Sequence, residues 1–285
     1  MPPSTPTLQL FGVGGAFSRK YGTTCAMLVT PRGMRWLVDC GRQAPDQLYA
    51  AGVAWHDIDG QIVTHVHGDH VYGLEDFAFR RFYEAHGGVA SIREGGPRPR
   101  LIAHSAVRAE LWETLAPALR YIPDGDDPRG GTLDHYFDVL APRAIEEPKH
   151  NAWNHAEAFE SGDLSVRARE CMHVPGKPST SLELEVGDGV FAWWSGDSTV
   201  DGRWLAKIEP RTTIFFHDCT FIDYPGQVHG AFSLLAQLPE TVRRKMVLMH
   251  HEDDIEDHRA EAEALGFRIA MPGDVFDLAT GRGIA

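Results

Sequence analysis

Apolar and polar residues alternate with two different periods along the chain, and each period predicts one kind of element. Short apolar runs bounded by turn residues predict a first series of strands at residues 7–11, 25–29, 35–38, 61–64 and 100–103. A second series of strands is predicted at residues 164–170, 181–186, 190–194, 213–216 and 245–249. Helical spacing predicts helices at residues 44–51, from about 71 to 85, and from 105 to about 115.

The two strand-rich halves predict an α/β fold in which two sheets pack face to face with helices outside. At 285 residues, of which 43% are hydrophobic, the chain can form a large core, and we expect a single domain over residues 1–285. The periodicity breaks down between about residues 117 and 155, where turn residues concentrate. This stretch predicts an exposed, loop-rich insertion that could act as a lid or a dimer arm.

Four side chains of metal-binding type occupy one turn directly after the apolar run at residues 61–64: His65, His67, Asp69 and His70. Imidazole and carboxylate groups are ligands that suit zinc, iron and manganese. A histidine-rich surface turn is the alternative, but the preceding strand is apolar enough to be buried. Other residues of this type also follow predicted strands, where open sheets place their sites: His173, Asp197, His217 and His250.

Charge and cysteine content limit the classes of partner. A net charge of −13 does not suit a protein that neutralises many phosphates of an extended nucleic acid, although two bound cations could still attract a small anion. The four cysteines are scattered without a CxxC pair, which favours a reducing cytoplasm over a disulfide scaffold. No signal peptide or membrane-spanning run is evident, so we expect a soluble protein without a membrane partner.

The HxHxDH pattern of residues 65–70 resembles the signature of the metallo-β-lactamase superfamily. This resemblance implies an αββα sandwich and two divalent metal ions, for which we expect zinc ahead of manganese or iron. It assigns His65, His67 and His173 to the first metal, and Asp69, His70 and His250 to the second, with Asp197 bridging both. His251 is a rival for the last position, but the superfamily's final ligand lies two residues after a leucine, as His250 does.

Within the superfamily the chain is similar to the RNase Z-like branch. The glycine-rich residues 11–17 resemble the start of that branch, residues 217–221 resemble its HEAT-type motif, and residues 228–231 resemble its HST-type loop. The resemblance implies that Asp218 and His229 act as a catalytic pair beside the metals, with Asp69 as an additional catalytic residue. Here the acid is Asp rather than Glu and the loop reads His-Gly-Ala, so the role of His229 is carried over less firmly than the ligands.

The tRNA-processing members of the branch carry a long arm between the third and fourth metal motifs, whereas one hairpin separates His173 from Asp197 here. The chain therefore resembles the small cyclic-nucleotide phosphodiesterases. We expect hydrolysis of a small phosphodiester by metal-activated hydroxide, in a homodimer that does not bind extended nucleic acid. The alternatives are a hydrolase of a lactone, thioester or other carboxylic ester, a tRNA 3′-processing endonuclease, and a non-catalytic binding module.

Two further expectations concern the surroundings of this site. Asp39 ends a predicted strand, and we expect it to be a hydrogen-bond partner of a metal-binding histidine rather than a solvated turn residue. Tyr121, Tyr136 and Trp153 lie in or near the insertion and could stack on a base, although aromatic residues are more often core material.

Overall fold

The computed structural model describes residues 5–121, 130–145, 155–187 and 189–284, which form two mixed sheets of eight strands each. The first sheet contains β1 (Thr7–Gly12), β2 (Cys25–Val29), β3 (Arg35–Val38), β4 (Gly60–Val63), β5 (Arg100–Ala103), β6 (Asp138–Val139), β15 (Val275–Asp277) and β16 (Arg282–Ile284). Its spatial order is β16-β15-β1-β2-β3-β4-β5-β6. The strands from β16 to β3 pair antiparallel, and those from β3 to β6 pair parallel.

The second sheet repeats this division between antiparallel and parallel strands. It contains β7 (Arg143–Ala144), β8 (Ala156–Ser161), β9 (Leu164–Glu170), β10 (Thr180–Val186), β11 (Val190–Trp194), β12 (Ile214–Asp218), β13 (Met246–Met249) and β14 (Arg268–Ile269). The order is β14-β13-β12-β11-β10-β9-β8-β7, parallel from β14 to β11 and antiparallel from β11 to β7.

Three apolar layers hold the sheets and helices together. The central layer lies between the sheets, where side chains such as Trp36 and Ile62 of the first sheet pack with Trp194 and Phe216 of the second. The outer face of the first sheet is covered by α1 (Ala44–Ala50), α2 (Gly68–Val71), α3 (Leu74–Tyr83), α4 (Ser105–Leu119) and α5 (Leu133–Tyr136). The outer face of the second sheet is covered by α6 (Gly202–Ile208), α7 (Phe232–Leu235), α8 (Glu240–Arg243) and α9 (Ile255–Ala264).

This layering of helices, two sheets and helices is the αββα sandwich, so the predicted fold class is confirmed. Single turns of 3₁₀ helix at Trp55–Asp57, Ile92–Glu94 and Glu209–Arg211 complete the regular elements of the described chain. Within the same ranges, no helix combines the length and the apolar character that crossing a bilayer requires.

The described part of the predicted insertion is more ordered than the sequence indicates. Helix α4 continues past Pro117 to Leu119, and residues 130–145 contain α5 and the edge strands β6 and β7 of the two sheets. Leu133 and Phe137 are buried, and the Tyr136 hydroxyl donates a hydrogen bond of 2.7 Å to the Leu119 carbonyl. Tyr136 is therefore core material, which is the alternative that the sequence favours, and it does not stack on a base. Trp153 lies outside the described residues.

Candidate metal centre

The fold brings the predicted metal-binding side chains to one edge because the parallel strands end there. His65 follows β4, Asp197 follows β11, and His250 follows β13, each within three residues of the strand's last residue. His67 is the N-cap of α2, so Asp69 and His70 lie in that helix's first turn. The motif turn is thus itself helical, whereas the sequence pattern predicted a helix only from about residue 71.

The side chains form two groups whose ligand atoms, within each group, lie within 4.8 Å of one another. The first group is His65, His67, His173 and Asp197, and the second group is Asp69, His70, Asp197 and His250. All of them are buried except His67, which is half-buried. The structure therefore brings together all seven side chains that the sequence assigns to metal binding.

Asp197 belongs to both groups and faces each with a different carboxylate oxygen. Its Oδ2 lies 3.7 Å from His65 Nε2 and 3.8 Å from His173 Nε2. Its Oδ1 lies 3.2 Å from His70 Nε2 and 3.3 Å from His250 Nε2. A carboxylate in this position can bridge two cations.

The protonation of the first group fits a divalent cation. Burial lowers the pKa of His65 well below its usual value and that of His67 to about 4, so both rings are neutral and able to bind a metal. Burial opposes ionisation of Asp197, but nearby imidazoles, His250 first, outweigh it and hold its pKa well below the usual range. His70 Nε2 and Asp197 Oδ1 are buried and make no hydrogen bond in the part of the chain described, as expected of metal ligands.

Hydrogen bonds behind the cluster orient its imidazole rings. Asp39 is fully buried and accepts hydrogen bonds from the Thr64 backbone N–H at 2.9 Å, the Thr64 hydroxyl at 2.8 Å and His70 Nδ1 at 2.8 Å. His173 Nδ1 donates to the Val228 carbonyl at 2.9 Å. Each bond leaves the Nε2 of its ring directed to the cluster. Asp39 thus has the role that the sequence predicts, whereas Thr64 and Val228 were not identified from the sequence.

The structure separates the two adjacent histidines. His250 Nε2 lies 3.3 Å from Asp69 Oδ2 in the second group. The His251 Nε2 instead pairs with the Ala270 carbonyl at 3.0 Å, and His251 belongs to neither group. The glycine-rich loop passes close to this point, since a Cβ on Gly15 would lie only 3.2 Å from the His250 carbonyl oxygen. The glycine at this position therefore lets the loop pass close to the metal centre.

A second feature, the pair Asp218 and His229, lies beside both groups. His229 Nδ1 donates to Asp218 Oδ2 at 2.9 Å, and the backbone N–H groups of Ser198 and Gly230 point to the same oxygen. Burial lowers the pKa of His229, but its hydrogen bond to Asp218 and the charge of that carboxylate more than offset this and raise it to about 9. The ring centroid of His229 lies 5.0 Å from those of His173 and His250, so this ring lies between the two groups.

His217 has a different place from the one that its position after a strand indicates. Its Nδ1 donates to the Asp218 carbonyl at 2.8 Å and lies 3.0 Å from Asp218 Oδ1. It belongs to neither metal group and instead supports the Asp218 side of the pair.

Comparison with known proteins places this site in a family. A family model described as Anti-Pycsar protein Apyc1 matches residues 6–271. The chain belongs to this family. A relative from Paenibacillus harenae, named Anti-Pycsar protein Apyc1, is 32% identical over 254 residues, which cover 88% of this chain and 92% of the relative.

Solved structures share the fold of this chain at lower identity. The metallo-β-lactamase fold protein YhfI from Bacillus subtilis is 17% identical with a TM-score of 0.67, and the match covers 96% of this chain and 99% of YhfI. The short form of human tRNase Z is 18% identical with a TM-score of 0.64, and the match covers 95% and 99% of the two chains. The recognition of the superfamily from the sequence is confirmed, and family and cluster together make the chain a metal-dependent hydrolase.

Proposed function

We propose that the chain hydrolyses a cyclic nucleotide, opening its phosphodiester to a monoester, with two divalent ions as cofactors. The observation that carries this proposal is the division of Asp197 between two ligand groups, with the Asp218–His229 pair beside them. The first ion would be held by His65, His67 and His173 and the second by Asp69, His70 and His250, with Asp197 available to both.

The chemistry divides between these ions and the side chains around them. Two divalent cations, when bound, neutralise phosphate oxygens and lower the pKa of water. Asp69 is ionised, because His70 and His250 outweigh the effect of burial on its pKa, and it orients the attacking water. His229 holds a proton that passes to the leaving oxygen, which is basic in an alkoxide, and Asp218 fixes the orientation of that imidazole.

The short connection between the third and fourth metal motifs supports a small substrate. His173 and Asp197 are separated by β10, β11 and their turn, where tRNA-processing members of the branch carry an arm. A net charge of −13 also gives little attraction for an extended polyanion at physiological salt. The relative from Paenibacillus harenae is named for an action against Pycsar, and the resemblance of the sequence to small phosphodiesterases implies a cyclic nucleotide.

Three finer expectations complete the proposal. Zinc is the expected metal, since imidazole ligands outnumber carboxylates three to one in the first group and equal them in the second, although manganese and iron accept the same ligand types. The four cysteines are free thiols, which fits a reducing cytoplasm. The homodimer stays a prediction that a measurement of mass in solution tests.

The carboxylic ester hydrolase is the main rival, because the same ions could polarise a carbonyl group. The test is turnover of the zinc-loaded protein on cyclic mononucleotides, cyclic dinucleotides, an acyl lactone and a 3′-extended tRNA, with Asp69→Ala as the inactive control. We expect fast opening of a cyclic nucleotide and little cleavage of the tRNA or lactone. Efficient lactone or tRNA cleavage with intact cyclic nucleotides would overturn the proposal, and no turnover of any substrate would indicate a binding module.

A further inference from the structure

A cavity of about 620 Å³ opens beside the metal centre. It lies between the first turn of α4, at Ala106, and the segment 171–179 that connects β9 to β10. His173, a member of the first metal group, is part of its wall. The volume is within the range of about 300–1,000 Å³ that small-molecule sites occupy. A substrate whose phosphate lies at the metal groups could therefore extend directly into this cavity.

The mouth of the cavity is apolar. Met172 and Val174 flank His173 with 45% and 37% of their surface exposed, and Pro175 and Pro178 continue the same wall. Large exposed apolar side chains next to a catalytic centre are typical of a surface that contacts the flat face of a ligand. A nucleobase has two flat faces of this kind, so it fits an apolar mouth.

The interior offers hydrogen-bonding groups that the protein leaves available. Ser179 lines the cavity, is 2% exposed, and its Oγ has no hydrogen-bond partner among the residues described. Its backbone pairs with His65 in an antiparallel bridge, so this wall is fixed to the metal centre. A buried hydroxyl without a partner is unfavourable unless a ligand or a water molecule forms a hydrogen bond with it.

His155 supplies a donor on another side of the cavity. The Ala106 N–H donates to His104 Nδ1 at 3.3 Å, so His104 carries its proton on Nε2, which lies 3.3 Å from His155 Nδ1. His155 Nδ1 is then an acceptor, and its Nε2–H, which has no acceptor among the residues described, can donate to a ligand. The neighbouring Glu157 accepts the Ser105 N–H at 2.8 Å. The bonds at the two histidines occupy the ring lone pairs that a metal ion would need at His104 and His155.

Lys177 connects the two sides of the cavity. Its Nζ lies 2.7 Å from Glu110 Oε2, which ties the connecting segment to α4. This ion pair fixes the distance between the two sides of the cavity, so the space between them is defined before a ligand enters.

We propose that this cavity binds the nucleoside part of the substrate, with Ser179 and His155 hydrogen-bonding the edge of the base and Met172 and Val174 contacting its face. This inference rests on the proposed function, because it assumes that the phosphate of a cyclic nucleotide lies at the two metal groups. It adds where the base is recognised and by which residues.

The test is to fill the cavity and compare two substrates that differ in the nucleoside. Ala106→Phe places a ring in the cavity, and Ala54→Phe makes the same change in a remote groove of about 530 Å³ lined by Tyr49 and His56. For each protein, kcat/KM is measured on the preferred cyclic nucleotide and on an activated aryl phosphodiester without a nucleoside. We define the substrate ratio as kcat/KM for the cyclic nucleotide divided by kcat/KM for the aryl phosphodiester. We expect this ratio to fall by about tenfold or more in Ala106→Phe. It should stay unchanged in Ala54→Phe.

Two further measurements keep the test decisive if Ala106→Phe does not fold. The conservative Ser179→Ala should raise KM for the cyclic nucleotide roughly fivefold, the value of one hydrogen bond, with kcat little changed. The free nucleoside should inhibit aryl phosphodiester hydrolysis competitively, and Ser179→Ala should weaken this inhibition by the same factor. Unchanged KM and inhibition in Ser179→Ala would overturn the proposal.

The results also separate this inference from the proposed function. A second cavity of about 410 Å³, lined by Trp193 and Val200, is the rival site for the base. If Val200→Phe lowers the substrate ratio and Ala106→Phe does not, the base lies in this second cavity and the inference is wrong. The phosphodiesterase proposal would still stand. If the unaltered protein opens no cyclic nucleotide and the nucleoside does not inhibit, both are wrong.

Discussion

Asp39 offers a sharp test of how the chain prepares the second metal group. Its Oδ2 accepts hydrogen bonds from both the Thr64 hydroxyl and His70 Nδ1, while Oδ1 accepts the Thr64 N–H. Asp39→Asn keeps the size of the side chain, and Asn tolerates the positive φ of 57° at this position. In this variant the amide oxygen can still accept the Thr64 N–H. The NH₂ group then occupies the place of Oδ2 and points at His70. His70 must then give up its Nδ1 proton and carry one on Nε2, where a metal would bind.

The expected effect of Asp39→Asn is on metal affinity. Loss of such a supporting partner typically weakens metal binding by about 10–100-fold, or about 1.4–2.8 kcal/mol. The metal-free protein should lose far less stability, because the change of His70 tautomer restores the hydrogen bond. Competition with a chromogenic chelator measures the affinity, and urea unfolding of the metal-free protein measures the stability. Asp163→Asn, at a half-buried carboxylate that accepts from the Arg32 N–H, is the control. Wild-type metal affinity in Asp39→Asn would refute this reasoning.

Three further predictions concern the other side of the centre. His229→Gln should lower turnover of a cyclic nucleotide by about 10²–10⁴-fold but that of an activated aryl phosphodiester much less, since only the alkoxide needs a proton donor; equal losses would remove His229 from the acid role. In the metal-free protein the pKa of His229 should be about 9, above the usual 6.5. The pairing of His229 with Asp218 therefore contributes its full stabilisation of the fold below pH 6.5, and this contribution is lost as the pH rises through 9. Asp218→Asn should bring that pKa below 6.5 by NMR titration, and no change would contradict the assigned pair. His250→Ala should lose one metal equivalent by elemental analysis, whereas His251→Ala should keep both and lose stability, because the Ala270 carbonyl loses its partner.

Much of the architecture follows from local patterns in the sequence. The apolar run at 61–64 and the histidine-rich turn after it predict both a buried strand and the metal centre at its end, and β4 followed by His65 matches this. The ligands from distant strands are predictable because parallel strands end at one edge. Such features depend on short stretches of sequence, which is why they can be read without a structure.

The features that the sequence did not predict depend on residues far apart in the chain. β8 has the sequence AEAFES, with two glutamates and one large apolar residue, and it is held in the sheet by pairing with β9 and β7. Strands β6 and β7 have two residues each, too few for a periodic signal. The hydrogen bond from His173 to the Val228 carbonyl joins residues 55 positions apart and uses a backbone atom. Residue type alone carries no information about such a partner.

A metal titration tests the central claim most directly. Metal-free protein is titrated with zinc, and in parallel with manganese, while hydrolysis of the preferred cyclic nucleotide and bound metal per chain are measured together. The two ligand groups joined by Asp197 predict that activity rises until two equivalents are bound and then stays constant. Full activity at one equivalent, or binding of less than one equivalent at saturation, would contradict the dinuclear phosphodiesterase.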